Sequence, residues 1–189
     1  TTGMTPTQYV TNVLLGGGVT VSNVTYTGYA NAIGEFNIAG ATNLGMSNGL
    51  VMTTGSAMFL DPAFPSFGKP VGPQGPNIDS VGNPTYTVTG IDNLQPGDAY
   101  LTSIAGIQTY NAAILEFDFT PVGDTVKFNY VFGTEEYMEW IGGGFADVFA
   151  FVLSGVSTPL SPVNIATIPS TGQPVTALNV NANVNPQYY

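Results

Sequence analysis

The sequence contains no cysteine and no histidine, and only two of its 189 residues, Lys69 and Lys127, are basic. Without cysteine the chain can form neither a disulfide nor a thiolate metal site, and without histidine it lacks the usual general base and zinc ligand. Nucleic acid is disfavoured as a partner, because neutralising phosphates requires clusters of lysine and arginine. Attraction to an anionic membrane requires the same clusters. No apolar run approaches the roughly 20 residues that span a bilayer, so no membrane insertion is expected of this segment.

Charge of either sign is scarce. Charged residues make up 7% of the chain, against roughly 25% in an average soluble protein, so the surface must consist mainly of uncharged polar residues. The twelve acidic residues leave a net charge of −10. Hydrophobic residues reach 43% and aromatic residues 12%, which is enough to fill a core. We therefore expect a single domain over residues 1–189.

One helix is predicted near the N-terminus. Thr5 has the features of an N-cap, Pro6 occupies the first helical position, and Gln8 completes a capping box. Gly16 is the expected terminator. The apolar face of this helix would comprise Tyr9, Val10, Val13 and Leu14.

From Val19 onward the pattern is typical of β-strands. The stretch VTVSNVTYTG alternates apolar and polar residues, and an Asn-Gly turn is predicted at Asn48 and Gly49, before a short strand. A long loop is expected over residues 61–84, because six prolines and four glycines there disfavour regular ladders. The loop could be a functional element or a passive excursion.

A hairpin is the simplest interpretation of residues 112–132. In AAILEFDFTP, Leu115, Phe117 and Phe119 alternate with acidic residues, as in a half-buried strand. A turn at Gly123 and Asp124 would lead into a second strand. That strand would direct inward Val126, Phe128, Tyr130 and Phe132.

The stretch DVFAFVLSG, residues 147–155, is apolar on both faces, which indicates a central core strand. Many short strands separated by turn signals, with no repeat of fixed period, favour a mainly β fold. We predict a β-sandwich or jelly roll with one accessory N-terminal helix.

Four of the twelve acidic residues lie in FGTEEYMEWIGGGFADVF, residues 132–149, and no lysine or arginine lies among them. Carboxylates held close together repel one another unless they are dispersed into water, protonated or bridged by a cation. Calcium suits such a set, because it accepts six to eight oxygen ligands in flexible geometry. The alternative is a solvated loop tip. The predicted calcium ligands are Glu135, Glu136, Asp147, Asp98 and Asn111.

Two further functions remain open from the residues. Tyr137 and Trp140 could stack on sugar rings, as in a calcium-dependent, lectin-like module, or they could fill the core and loops. A pair of carboxylates could hydrolyse a glycosidic bond, but any chain with twelve acidic residues offers such pairs.

Several stretches, in this order, resemble the bacterial choice-of-anchor L domain. They are TPTQYVTNVLLGGGVTVSNVTYTG, AIGEF, NLGMSNGLVMTTGS, LTSIAG, TYNAAILEFDFTPVGDTVKFNYVFGTEEYMEW, FADVFAFVLSG and NIATIP. The resemblance implies an extracellular module, not an enzyme, in a large secreted adhesin-like or surface-structural protein, of a kind frequent in Bacteroidota. Other protein chains or cell-surface components are the expected partners, and the aromatic residues above leave glycans as a further possibility.

The chain departs from that family pattern in two places. Family members often have Asp-x-Asp-Leu where this chain has Asp98-Ala99-Tyr100-Leu101, and Asp in place of Asn111, which would weaken a calcium site there. Related domains also continue with further strands beyond Tyr189. We therefore expect either a fragment of a longer chain or an open sheet edge that a partner fills by strand addition.

Overall fold

A computed structural model describes residues 3–38, 44–57, 77–78, 84–85, 93–134, 141–144, 146–155 and 161–189. The strands in these ranges are β1 (Val19–Thr27), β2 (Ile33–Asn37), β3 (Asn48–Met52), β4 (Asn77–Ile78), β5 (Pro84–Thr85), β6 (Ile114–Pro121), β7 (Val148–Phe149), β8 (Val152–Leu153), β9 (Val163–Asn164) and β10 (Val175–Thr176). The helices are α1 (Pro6–Gln8), a π-helix (Tyr9–Leu14), α2 (Ala99–Ala105) and a 3-10 helix (Pro186–Tyr188).

Every ladder in these ranges is antiparallel and has two strands: β1 with β6, β2 with β3, β4 with β5, β7 with β10, and β8 with β9. The predicted mainly β class is confirmed, while the stacking of sheets into a sandwich or jelly roll stays a prediction. None of the helices in the described part of the chain is long and apolar enough to cross a lipid bilayer.

The chain forms two compact units. The first comprises Thr1–Pro96 and Tyr110–Val131, and the second comprises Gly97–Thr109 and Phe132–Tyr189. In the first unit the buried apolar residues are Tyr9, Val10, Ala32, Ile33 and Ala112. In the second they are Ala166, Ile168, Val175 and Ala177. The single domain over residues 1–189 stays a prediction.

The N-terminal helix begins as predicted. The Thr5 hydroxyl accepts from the Gln8 amide at 3.2 Å, and the Gln8 side chain accepts from the Thr5 amide at 2.8 Å, which is a complete capping box. The predicted terminator Gly16 directly follows the C-cap residue Leu15. The helix widens to a π-helix and ends at Leu14, because Leu15 already has extended backbone after donating to the Val10 carbonyl.

The β1–β6 ribbon is the longest ladder among the described residues, and its inward-facing residues agree with the predicted pattern. Leu115, Phe117 and Phe119 are half-buried, and the acidic residues between them are exposed. Between Ser22 and Thr25 the register shifts, so that β1 bulges against β6. Asn23, at the bulge, has a φ of 51° and donates to the Asp118 carboxylate at 2.6 Å.

The predicted turn at Asn48 and Gly49 is wrong. Both residues lie within β3, where Asn48 pairs with Asn37 and Gly49 with Phe36. The Phe36 ring lies 3.0 Å from the position that a Gly49 Cβ would occupy. A glycine opposite an aromatic residue gives the ring room to lie over the neighbouring strand, so Gly49 supports the β2–β3 pairing and does not form a turn.

The second strand of the predicted hairpin does not form among the described residues, since no strand lies between Pro121 and Phe132. Val126 and Tyr130, predicted to face inward, are 38% and 45% exposed. The chain instead passes beside the start of β1, where Thr125–Phe128 line a cavity together with residues 14–19. Alternation defines two faces of a segment, but it does not define the strand with which that segment pairs.

The predicted core strand at residues 147–155 is interrupted. Val148–Phe149 pairs with β10 and Val152–Leu153 with β9, and Val152 is 45% exposed. Between the two pairings the Phe151 amide donates to the Asn164 side chain at 3.0 Å, and not to a strand backbone. In the proline-rich residues 61–84 a short ladder joins β4 to β5, which begins at Pro84. The rest of that loop lies outside the described residues, so the long loop stays a prediction.

Candidate functional site

Asp147 immediately precedes β7, in the second unit. Its side chain is half-buried, and its Oδ2 accepts a hydrogen bond from the Thr134 hydroxyl at 2.6 Å. Burial raises the pKa of the Asp147 carboxyl above its usual value, while the Thr134 hydrogen bond acts in the opposite direction. The carboxylate is therefore partly removed from water, with a neutral hydroxyl as one partner, and a nearby cation would stabilise its charged form.

Asp98 begins α2, the helix that the sequence interpretation missed. Its carboxylate accepts from the Leu101 amide at 2.9 Å, which makes Asp98 the N-cap. Gly106 ends the helix in the left-handed conformation, with a φ of 74°. An aspartate followed eight positions later by a glycine was the available signal, although seven residues make a short helix.

A hydroxyl network closes the segment around α2. The Thr109 hydroxyl donates to the Asp98 carbonyl at 3.1 Å and lies 2.7 Å from the Thr102 hydroxyl. Gly97 fits against this network because glycine has no Cβ. A Cβ at this position would lie 1.9 Å from the Thr109 carbonyl oxygen. The backbone of Asp98 is thereby held in place, and so is the direction of its side chain.

Asn111 lies in the first unit, where it fastens two chain segments together. Its side-chain oxygen accepts from the Gln95 amide at 3.1 Å, and its own amide donates to the Gln95 carbonyl at 2.9 Å. Asn111 adopts a φ of 55°, which asparagine tolerates better than most residues. The adjacent bridge between Pro96 and Tyr110 continues the same pairing.

Two of the five predicted calcium ligands directly precede elements that contact each other, because α2 lies against β7 within the second unit. These two residues are Asp98 and Asp147. Asn111 belongs to the first unit. The remaining predicted ligands, Glu135 and Glu136, lie outside the described residues, as do the predicted sugar-stacking residues Tyr137 and Trp140.

Among the residues that the structure describes, no three acidic side chains form a group able to hold a metal ion. The calcium site therefore stays a prediction. Its best-supported member is Asp147, because one Asp98 oxygen already caps a helix and the Asn111 oxygen already accepts from the backbone. Sequence reasoning overlooked Thr134, which directly precedes the acidic pair, since a threonine next to charged residues carries no distinctive signal.

A family comparison covers the complete sequence. The model of the choice-of-anchor L domain matches residues 1–189. Choice-of-anchor domains are in general non-enzymatic modules of surface or secreted proteins. The comparisons with curated proteins and with solved structures gave no match. The chain belongs to the choice-of-anchor L domain family, a family of surface-associated modules that are in general non-enzymatic.

Proposed function

We propose that the chain is an extracellular module that provides adhesion or structural support within a larger secreted bacterial protein, and that calcium stabilises its fold. The observation that carries the proposal is the match of the surface-module family along the whole chain. The shortage of charge supports it as well, because a chain with only 7% charged residues loses little ion hydration when a partner covers its surface.

Exposed apolar residues of the first unit supply a candidate adhesive surface. Leu94 is 82% exposed and Tyr110 is 68% exposed. They lie on the two segments that Asn111 and the Pro96–Tyr110 bridge hold together. Leu94 also has a φ of 60°, an unfavourable conformation for a leucine. Such strain is often maintained at binding sites, where it fixes the direction of a side chain.

Attachment of coated beads tests the adhesive role. Beads carrying the chain should be retained on a layer of extracellular glycoproteins, and retention should persist after the layer is enzymatically deglycosylated. Leu94→Gly and Tyr110→Ser should each reduce retention, whereas the control Val163→Ser, at a 44% exposed residue of the second unit, should not. Retention that disappears with the glycans would favour the lectin-like alternative, and absence of retention on both layers would contradict adhesion.

Asp147 supports the calcium part of the proposal, because a cation would compensate the burial that raises the pKa of this carboxyl. Millimolar calcium should raise the thermal midpoint above its value in EDTA, since a ligand that binds the folded state stabilises it by about 2.7 kcal/mol at 100 times Kd. Asp147→Asn should lose most of that rise, and Asp124→Asn, at an exposed turn residue, should keep it. A midpoint that is equal in calcium and EDTA would rule out calcium stabilisation.

A further inference from the structure

The β6 strand has one edge paired with β1, and within the described residues no strand pairs with its other edge. β6 has eight residues, so this edge offers a long row of backbone groups to an added strand. Edges of this kind are protected or occupied in most proteins, and peptide segments bind them by strand addition.

The two faces of β6 define what a matching strand must carry. On the half-buried face, the rings of Phe117 and Phe119 lie 6.2 Å apart. On the exposed face are the carboxylates of Glu116 and Asp118. An added strand therefore needs apolar residues at alternate positions and a basic residue between them, because opposite charges stabilise a cross-strand pair and like charges destabilise it.

Residues 125–131, named the trailing segment here, have this pattern. Val126 and Phe128 alternate with Lys127, which is one of only two basic residues in the sequence. Antiparallel alignment with β6 that brings Phe128 opposite Phe117 also brings Lys127 opposite Asp118. The segment offers apolar surface for burial, since its residues Val126 and Val131 are 38% and 52% exposed.

The trailing segment does not return along the β6 from which it emerges. The Val122 amide donates to the Gly18 carbonyl at 2.9 Å, which directs the chain toward the start of β1. There Thr125–Phe128 line a cavity of about 360 Å³ with residues 14–19. Along this path the trailing segment does not pair with the second edge of β6, and neither does any other strand in the described part of the chain.

We propose that two copies of this chain exchange their trailing segments, each adding residues 125–131 as an antiparallel strand to the β6 edge of the other copy. Exchange about a twofold axis gives both copies the same new contacts and closes the assembly as a dimer. The inference deepens the surface-structural role proposed above, on which it rests, by naming the partner. Modules concentrated on one surface would meet often enough for such exchange.

Cysteine cross-linking tests the exchange directly, because the natural sequence contains no cysteine. In the alignment above Glu116 lies opposite Asn129, and both residues are exposed. A mixture of the single variants Glu116→Cys and Asn129→Cys should, on mild oxidation, give disulfide-linked heterodimers several-fold in excess of homodimers. The control mixture of Glu116→Cys with Thr125→Cys, which is out of register by four residues, should show no excess.

Two outcomes would overturn the proposal. If the double variant Glu116→Cys/Asn129→Cys forms a disulfide within one chain while the mixed single variants form none, the trailing segment closes on its own β6. If neither preparation forms a disulfide, the β6 edge does not accept this segment at all.

Charge reversal provides an independent test by light scattering over a range of concentrations. Lys127→Glu should weaken dimerisation at least tenfold, because it places a third carboxylate beside Asp118 and Glu116, whereas Lys127→Arg should leave it unchanged. Dimerisation of Lys127→Glu equal to that of the parent chain would contradict the proposed alignment. Absence of dimers with bead attachment intact would reject the exchange alone, and dimers without attachment would reject the adhesive function alone.

Discussion

Asp147 is the residue on which the sequence prediction, the structure and the proposed calcium site all bear. Its place in an acidic stretch without basic residues made it a predicted ligand, and the structure adds a hydroxyl partner, Thr134, and a raised pKa that sequence could not supply. Burial depends on which distant residues cover a side chain, so composition along the chain does not reveal it. The charge of this residue was predictable from sequence, and its environment was not.

The pH dependence of stability should report the Asp147 environment in calcium-free buffer. Because the folded-state pKa is raised above 3.8, the folded state binds a proton before the unfolded state as pH falls. The free energy of unfolding contributed by this group therefore increases as pH falls through the raised pKa, and the increase is complete below the unfolded value. Above the raised pKa the buried charge is destabilising.

Comparison with Asp147→Asn isolates this contribution. Urea unfolding between pH 7 and pH 4 should show the parent chain gaining stability relative to Asp147→Asn as pH falls, since the amide has no charge to lose. Asp124→Asn, at an exposed residue, provides the control. A parent-minus-variant difference that is constant across this range would contradict the assigned environment.

Gly97 offers a test at a residue where backbone spacing is decisive. Gly97→Ala would place a methyl carbon 1.9 Å from the Thr109 carbonyl oxygen, and the chain must shift to relieve the clash. We expect a loss of about 1–3 kcal/mol in the free energy of unfolding, as for other overpacked sites. Gly17→Ala, where the added carbon meets nothing within 4 Å, should change stability by less than about 1 kcal/mol. Equal midpoints for the two variants in thermal melts would contradict the predicted clash at Gly97.

At the scale of elements, the predictions that succeeded rest on local signals. The capping box of α1 needs only Thr5 and Gln8, and the strand pattern of β6 needs only the alternation of its own residues. Two of the predictions that failed concern pairing, whereas the predicted turn at Asn48 and Gly49 failed although its signal is local. Local alternation does not determine whether β6 has a hairpin partner or whether residues 147–155 form one unbroken strand. Both depend on the position of another strand's edge, which is set by distant parts of the chain.

Local sequence also could not show that the predicted calcium ligands Asp98 and Asn111 have backbone partners. Carboxylate and amide oxygens suit calcium, but they equally suit a backbone amide nearby. In the structure the Asp98 oxygen caps α2 and the Asn111 oxygen accepts from Gln95. The sequence identifies such oxygens as potential acceptors, but the fold determines which donor lies within hydrogen-bond distance of them.

Substitution of Asp98 separates its two possible roles. Asp98→Ala should reduce the free energy of unfolding by about 1 kcal/mol, the usual cost of a lost N-cap. Asp98→Asn keeps a side-chain oxygen for the Leu101 amide and should retain most of that stability. If Asp98 also binds calcium, Asp98→Asn should weaken the calcium-dependent rise in thermal midpoint. Equal stability of Asp98→Ala and the parent chain in urea unfolding would show that the cap contributes little.

At the scale of the whole molecule, a net charge of −10 with two basic residues means that self-repulsion, not ion pairing, dominates the electrostatics. Sodium chloride should therefore raise the thermal midpoint modestly up to physiological ionic strength, where the screening length is about 8 Å. Calcium chloride at matched ionic strength should raise it further if a specific site exists. A midpoint that falls with sodium chloride would show that attractive ion pairs outweigh the repulsion.

Family membership, the exposed apolar side chains of Leu94 and Tyr110, and the half-buried carboxylate of Asp147 support the proposal of a calcium-stabilised adhesive module. Bead retention on the glycoprotein layer, measured against free calcium for the parent chain and for Asp147→Asn, tests this account most directly. The account predicts that retention of the parent chain rises with calcium and that Asp147→Asn needs at least tenfold more calcium for the same retention. Retention that is the same in EDTA and in millimolar calcium, or identical calcium curves for the two chains, would contradict it.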